Sequence, residues 1–234
     1  MHKACLLFLL SVSAMAHAAP HDDEAADCRN GSFTNSPSAF TLARVAVPRL
    51  YLLNDSDGCP SKGEAACRQR SYVIKGDVVV LAQHRGGYAC AFYPNKVGVS
   101  AGWVAERSLQ AIASTATPPA SAWNAHWYDG DNTLQLTANG DGSITVNGDA
   151  YWPSANPSPE QVPGGPHFGA VTARSFAEGN RLEVREDDCA VRLQLLGDLL
   201  IVADNLQCGG ASVSFNGVYP VSYTHLRAHE TRGN

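Results

Sequence analysis

No stretch of the chain concentrates lysine and arginine, and charged residues of either sign make up only 17% of it. Seventeen basic residues against twenty-two acidic ones give a formal net charge of −5. Lys3 lies in the N-terminal apolar segment and the last fourteen residues carry a net +1 (Arg227 and Arg232 against Glu230), so the body between them is near −7. An acidic body without a basic cluster argues against nucleic acid and anionic membrane as partners. Long apolar runs are also missing: Ala4 to Val12 is far short of the roughly 20 residues that a spanning helix requires. No Gly-x-Ser-x-Gly occurs, which leaves a lipase-like serine site without support. His225 and His229 stand four apart, but Leu226 occupies the place where a zinc protease needs glutamate. Asp129, Asp131 and Thr133 have the spacing that opens a calcium loop. Leu134 then replaces the required glycine and Gly140 the bidentate glutamate, so turn acids explain them better. No metal, no cofactor and no catalytic residue is therefore expected.

What the sequence does have is an export pattern and paired cysteines. Lys3, the apolar run to Val12 and Ala16-His17-Ala18 form a signal peptide over residues 1–18. Cys5 precedes most of the apolar run, so it cannot be a lipid-modified first residue after cleavage. Six cysteines remain: Cys28, Cys59, Cys67, Cys90, Cys189 and Cys208. An even number on an exported chain implies an oxidising compartment, and the protein is expected to be periplasmic or secreted. Six cysteines permit fifteen pairings. The preferred set joins Cys59 with Cys67 and Cys189 with Cys208 across short loops, leaving Cys28 for Cys90.

A polar arm, residues 19–39, precedes a region over 40–109 made of short strand-like pieces. Val78 to Leu81 is entered through Lys75-Gly76-Asp77 and leaves through Gly86-Gly87 into Tyr88 to Tyr93, a hairpin signal. Tyr72, Lys75-Gly76-Asp77, Gly87-Tyr88 and Gly102-Trp103-Val104, running on to Leu109, resemble a bacterial SH3-like domain in order and spacing. The resemblance implies a small β-barrel that binds peptidoglycan or peptide. The chain departs from the pattern at Asn54 to Cys67, a long loop that would border the ligand groove.

Residues 110–122, with Pro118-Pro119, form a linker in composition. Over 123–220 apolar residues alternate cleanly: Leu134 and Leu136, a turn at Asn139 to Gly142, then Ile144 and Val146. Further strands follow a segment from Pro153 to Pro166 with five prolines, which excludes a central strand there. The expected fold is all-β: an N-terminal SH3-like small barrel plus a C-terminal antiparallel β-barrel or sandwich, stapled by disulfides. The ending from Asp204 through Cys208-Gly209-Gly210 to Tyr219 resembles that of exported proteobacterial proteins of no assigned activity. Residues 221–234 open with a string that resembles translated sequencing-adapter DNA. The natural chain is expected to diverge near Pro220, the alternative being a genuine polar tail.

A Cys–His peptidase, a common companion of SH3-like modules, needs a free thiolate beside a histidine. All six cysteines can pair, and only His84, His126 and His167 lie in the two regions. Paired carboxylates of a glycosidase kind cannot be read from spacing. Aromatic residues remain, and Tyr51, Tyr93 and Trp103 are the expected exposed ligand contacts. The leading expectation is thus a non-catalytic binding protein of the bacterial cell envelope. The alternatives are an inhibitor or accessory factor of a lysozyme or wall hydrolase, presenting the Cys59–Cys67 loop, and a hydrolase in the C-terminal β-domain.

Overall fold

The computed structural model describes residues 27–36, 39–95, 98–153 and 166–221. The expected signal peptide, the start of the polar arm, most of the proline-rich segment and residues 222–234 lie outside the described residues. No helix among the described residues is long and apolar enough to cross a membrane.

Seven strands build the first half: β1 (Thr41–Val45), β2 (Arg49–Leu53), β3 (Arg68–Ile74), β4 (Val78–Arg85), β5 (Tyr88–Asn95), β6 (Gly98–Ala105) and β7 (Leu109–Ile112). They form one antiparallel sheet in the order β3-β2-β6-β5-β4-β1-β7. Gly86 and Gly87 both have positive φ (57° and 83°), the backbone that a tight two-residue hairpin turn demands and that residues with a Cβ resist. β7 takes in the first residues of the expected linker and pairs with β1, Ala43 facing Ala111. The barrel expected for residues 40–109 is not closed: β3 and β7 are free edges. A register shift between Tyr51 and Leu53 breaks the β2–β3 ladder, and β2 meets β6 at the single pair Leu53–Trp103.

One face of this sheet holds a core of Val45, Leu50, Leu52, Val73, Val79 and Val104. The other is covered by the arm and by the second half of the chain. Phe33 of the arm packs between Phe40 and Phe92, at ring separations of 5.5 Å and 5.1 Å, and the Cys28–Cys90 disulfide fastens the arm there.

The second half has eight strands. β8 (Ala125–Asp129), β9 (Asn132–Ala138), β10 (Ile144–Trp152) and β11 (His167–Ser175) form one meander. β12 (Arg181–Glu186), β13 (Cys189–Leu196), β14 (Leu199–Asp204) and β15 (Gly217–Pro220) form another. The two sheets enclose a common core, Trp127, Leu134, Leu136, Ile144 and Val146 against Leu182, Val191, Leu193, Leu200 and Val202. Every second residue of β9 and of the start of β10 points inward, as the alternation requires. Of the two architectures expected here, the sheets adopt the open sandwich. Among the described residues β8 and the end of β15 are joined by the isolated bridge Trp127–Val221, outside either sheet's ladder.

The outer face of the β12–β15 sheet is also apolar. Leu196, Ile201 and Val218 pack on the arm and on the first sheet, and Gln194 accepts from the Phe40 amide (3.0 Å) and donates to its carbonyl (2.9 Å). The two halves therefore share a core. The cysteines pair as Cys28–Cys90, Cys59–Cys67 and Cys189–Cys208.

Candidate functional site

The three aromatic residues expected to be exposed ligand contacts are dispersed. Trp103, on β6, is fully buried beneath the arm. Its Nε1 donates to Asp55 Oδ1 (2.6 Å), and the Arg85 guanidinium covers its ring at 4.7 Å. The expectation that Trp103 is an exposed contact fails because both faces of β5 and β6 are covered. Asp55 is the hub of this arrangement. Its side chain is only 8% exposed, it also accepts from the Cys28 amide (2.6 Å), and Arg85 approaches to 3.7 Å. The Asn54 to Cys67 loop is thereby tied to the arm, β4 and β6 rather than left bordering an open groove.

Tyr93 is half-buried on the opposite face, against the other core. Burial, and then the Asp77 carboxylate, push its phenol above the ordinary value. Tyr51, also half-buried, lies on the outward face of β2, because Leu50 and Leu52 on either side of it point into the core.

Around Tyr51 the fold assembles a group that the sequence keeps apart. Tyr51 and Tyr72 are cross-strand partners on β2 and β3, with ring centroids 5.6 Å apart. Arg49 lies over the Tyr72 ring at 4.4 Å, and Arg68 over the Tyr51 ring at 4.3 Å. Arg49 Nη1 donates to the Tyr51 hydroxyl (3.4 Å), which holds that phenol below its ordinary value and raises the arginine. Arg70 and Ile74 share the exposed face of β3 by alternation, and Tyr72 is 46% exposed. Among the described residues no carboxylate pairs with Arg49, Arg68 or Arg70. A chain of net negative charge thus carries a patch of three guanidinium groups, interleaved with two phenols, that no carboxylate among the described residues compensates. The pairs Arg49–Tyr72 and Arg68–Tyr51 span the 54–67 loop, so no contiguous basic run announces them.

No arrangement for nucleophilic catalysis is formed by the described histidines and cysteines. The six described cysteines are all in disulfides, His84 Nδ1 pairs with Glu106 at 2.8 Å, and His167 Nδ1 lies 2.6 Å from the Ala211 carbonyl. Among the described residues no group of three or more metal-ligating side chains converges. The Cys59–Cys67 loop is largely exposed and closed by its own backbone hydrogen bonds, Cys59 to Ser56 and Gly63 to Pro60 among them. No protein-family model matches this chain, and neither a curated protein nor a solved structure is similar enough to match it.

Proposed function

We propose that the protein is a non-catalytic binding protein of the bacterial cell envelope that engages peptidoglycan, through its carboxylate-bearing stem peptides, on the outward face of β2 and β3. The observation that carries this reading is the unpaired arginine–tyrosine ladder of Arg49, Tyr51, Arg68 and Tyr72. Guanidinium groups recognise carboxylates with two parallel hydrogen bonds, and stacking on tyrosine holds them flat and ready to do so. The tyrosines add apolar contact at low entropic cost. Three disulfides agree with a chain built for an oxidising compartment. The resemblance of residues 40–109 to SH3-like domains supports the ligand class, while the β2–β3 surface differs from the groove that the resemblance implies.

Cosedimentation with purified peptidoglycan tests the proposal, with the Arg49→Ala/Arg68→Ala double variant beside the natural protein. Binding that weakens at least tenfold in the variant and falls steeply with added salt is the expected result. Undiminished binding by the variant overturns the proposed surface. No sedimentation of the natural protein, together with inhibition of a wall hydrolase, would overturn it in favour of an inhibitor acting through the Cys59–Cys67 loop.

A further inference from the structure

A cavity of about 420 Å³ opens in the sandwich between the β8–β9 turn, the end of β10 and the segment from Leu206 to Asn216, with the arm closing one side. That volume lies within the roughly 300–1,000 Å³ of small-molecule sites. Its walls are held firmly. Asn132 accepts from the Tyr151 amide (3.0 Å) and donates to the Ser214 carbonyl (2.9 Å), joining two walls through one side chain. Buried Asp204 accepts from the Leu206 and Phe215 amides (2.9 and 2.7 Å) and from Ser214 Oγ (3.2 Å), and the Cys189–Cys208 disulfide anchors the same segment. Such support fixes a site before its ligand arrives.

Two carboxylates, Asp129 and Asp131, and two aromatic rings, Tyr151 and Trp152, line the cavity, and no lysine, arginine or histidine among the described residues does. Asp129 is partly shielded from water, and no described residue hydrogen-bonds its carboxylate. Gly217 leaves it room, since a Cβ there would collide with Oδ2. Desolvation alone pushes its pKa above the ordinary value, as a carboxylate lacking a partner requires. Trp152 is 46% exposed, whereas Trp103, Trp123 and Trp127 are buried. An acidic group without a partner, beside aromatic faces that attract cations, is complementary to an organic ammonium. An anion would meet two like charges.

We infer that this cavity is a binding site for a primary ammonium group carried on a small ligand or side chain, contacted by Asp129, Asp131 and the rings of Tyr151 and Trp152. The site is separate from the β2–β3 surface and stands whether or not that surface binds peptidoglycan.

The full chain, titrated with Nα-acetyl-lysine methylamide, tests the inference. Because three of the four tryptophans are buried, acrylamide quenching reports on Trp152. The amine is expected to protect Trp152 from quenching and the neutral Nε-acetylated analogue to leave it unprotected. Asp129→Asn should weaken binding at least tenfold while leaving the far-ultraviolet spectrum unchanged, and Trp152→Phe should weaken it by calorimetry. Absence of protection by the amine, equal protection by the acetylated analogue, or protection only by an N-acetylglucosamine tetramer would each overturn it.

Discussion

Asp55→Asn removes one negative charge and replaces one acceptor oxygen by an N–H donor at a site that offers only donors. Either the Trp103 indole N–H or the Cys28 amide, both now 2.6 Å from the carboxylate, must then face that amide. A buried donor left without a partner costs about 1–3 kcal/mol. Arg85, at 3.7 Å, also loses its counter-charge, but its side chain is 45% exposed and water replaces most of that interaction. The expected loss is about 2–4 kcal/mol in urea unfolding with the disulfides intact, a sizeable share of the total stability of a small protein. Combining Asp55→Asn with Trp103→Phe removes the donor as well as its acceptor. The double variant should be more stable than the sum of the single losses, by about 0.5–3 kcal/mol of coupling. A loss below about 1 kcal/mol in the single variant, or additive losses in the double, would refute the view that Asp55 holds the arm and loop over Trp103.

Three further predictions concern polar groups elsewhere in the fold. The indole N–H of Trp127 is buried and has no hydrogen-bond partner among the described residues, so Trp127→Phe trades lost volume against relief of an unmet donor. Denaturant titration should show a change within about 1 kcal/mol, far from the roughly 3–5 kcal/mol of a Trp→Ala truncation. Gln194→Ala deletes both bonds to the Phe40 backbone and should cost about 2–4 kcal/mol while increasing hydrogen exchange in the arm; unchanged exchange would count against a shared core. Asp129 titrates above its ordinary value of 3.8 in the folded protein, so its ionisation is harder folded than unfolded. The penalty is absent below that ordinary value and grows as pH rises through the folded pKa. Asp129→Asn should therefore stabilise at neutral pH, with the gain disappearing under acid conditions; a gain that persists at pH 3 would refute this cause.

How much could be read from the residues depended on whether a strand had one wet face. Leu134, Leu136, Ile144 and Val146 alternate because β9 and β10 bury one side only, and the turn between them carries its own signal in Asn139 to Gly142. The Gly86-Gly87 hairpin was equally local. Trp103 went the other way. Alternation states that one face of β5 and β6 is inside, but here both are, since the arm and the β12–β15 sheet cover the side that the pattern leaves to solvent. Nothing near Trp103 in sequence reveals a covering layer supplied by Phe33, Ile201 and Val218. The arginine–tyrosine ladder was illegible for a related reason. Its pairs form only once β2 and β3 align in a register that the intervening loop does not encode locally. Asp129 stood out in the sequence for its calcium-like spacing, yet its lack of a partner became visible only with the Leu206 to Asn216 segment in place.

The most direct test of the central claim is hydrogen–deuterium exchange of the natural protein with and without soluble peptidoglycan fragments that retain their stem peptides. Added protection is expected in β2 and β3, centred on Arg49 to Tyr51 and Arg68 to Tyr72, with the Cys59–Cys67 loop unchanged. Protection confined to that loop or to the C-terminal sandwich, with β2 and β3 unaffected, would contradict it.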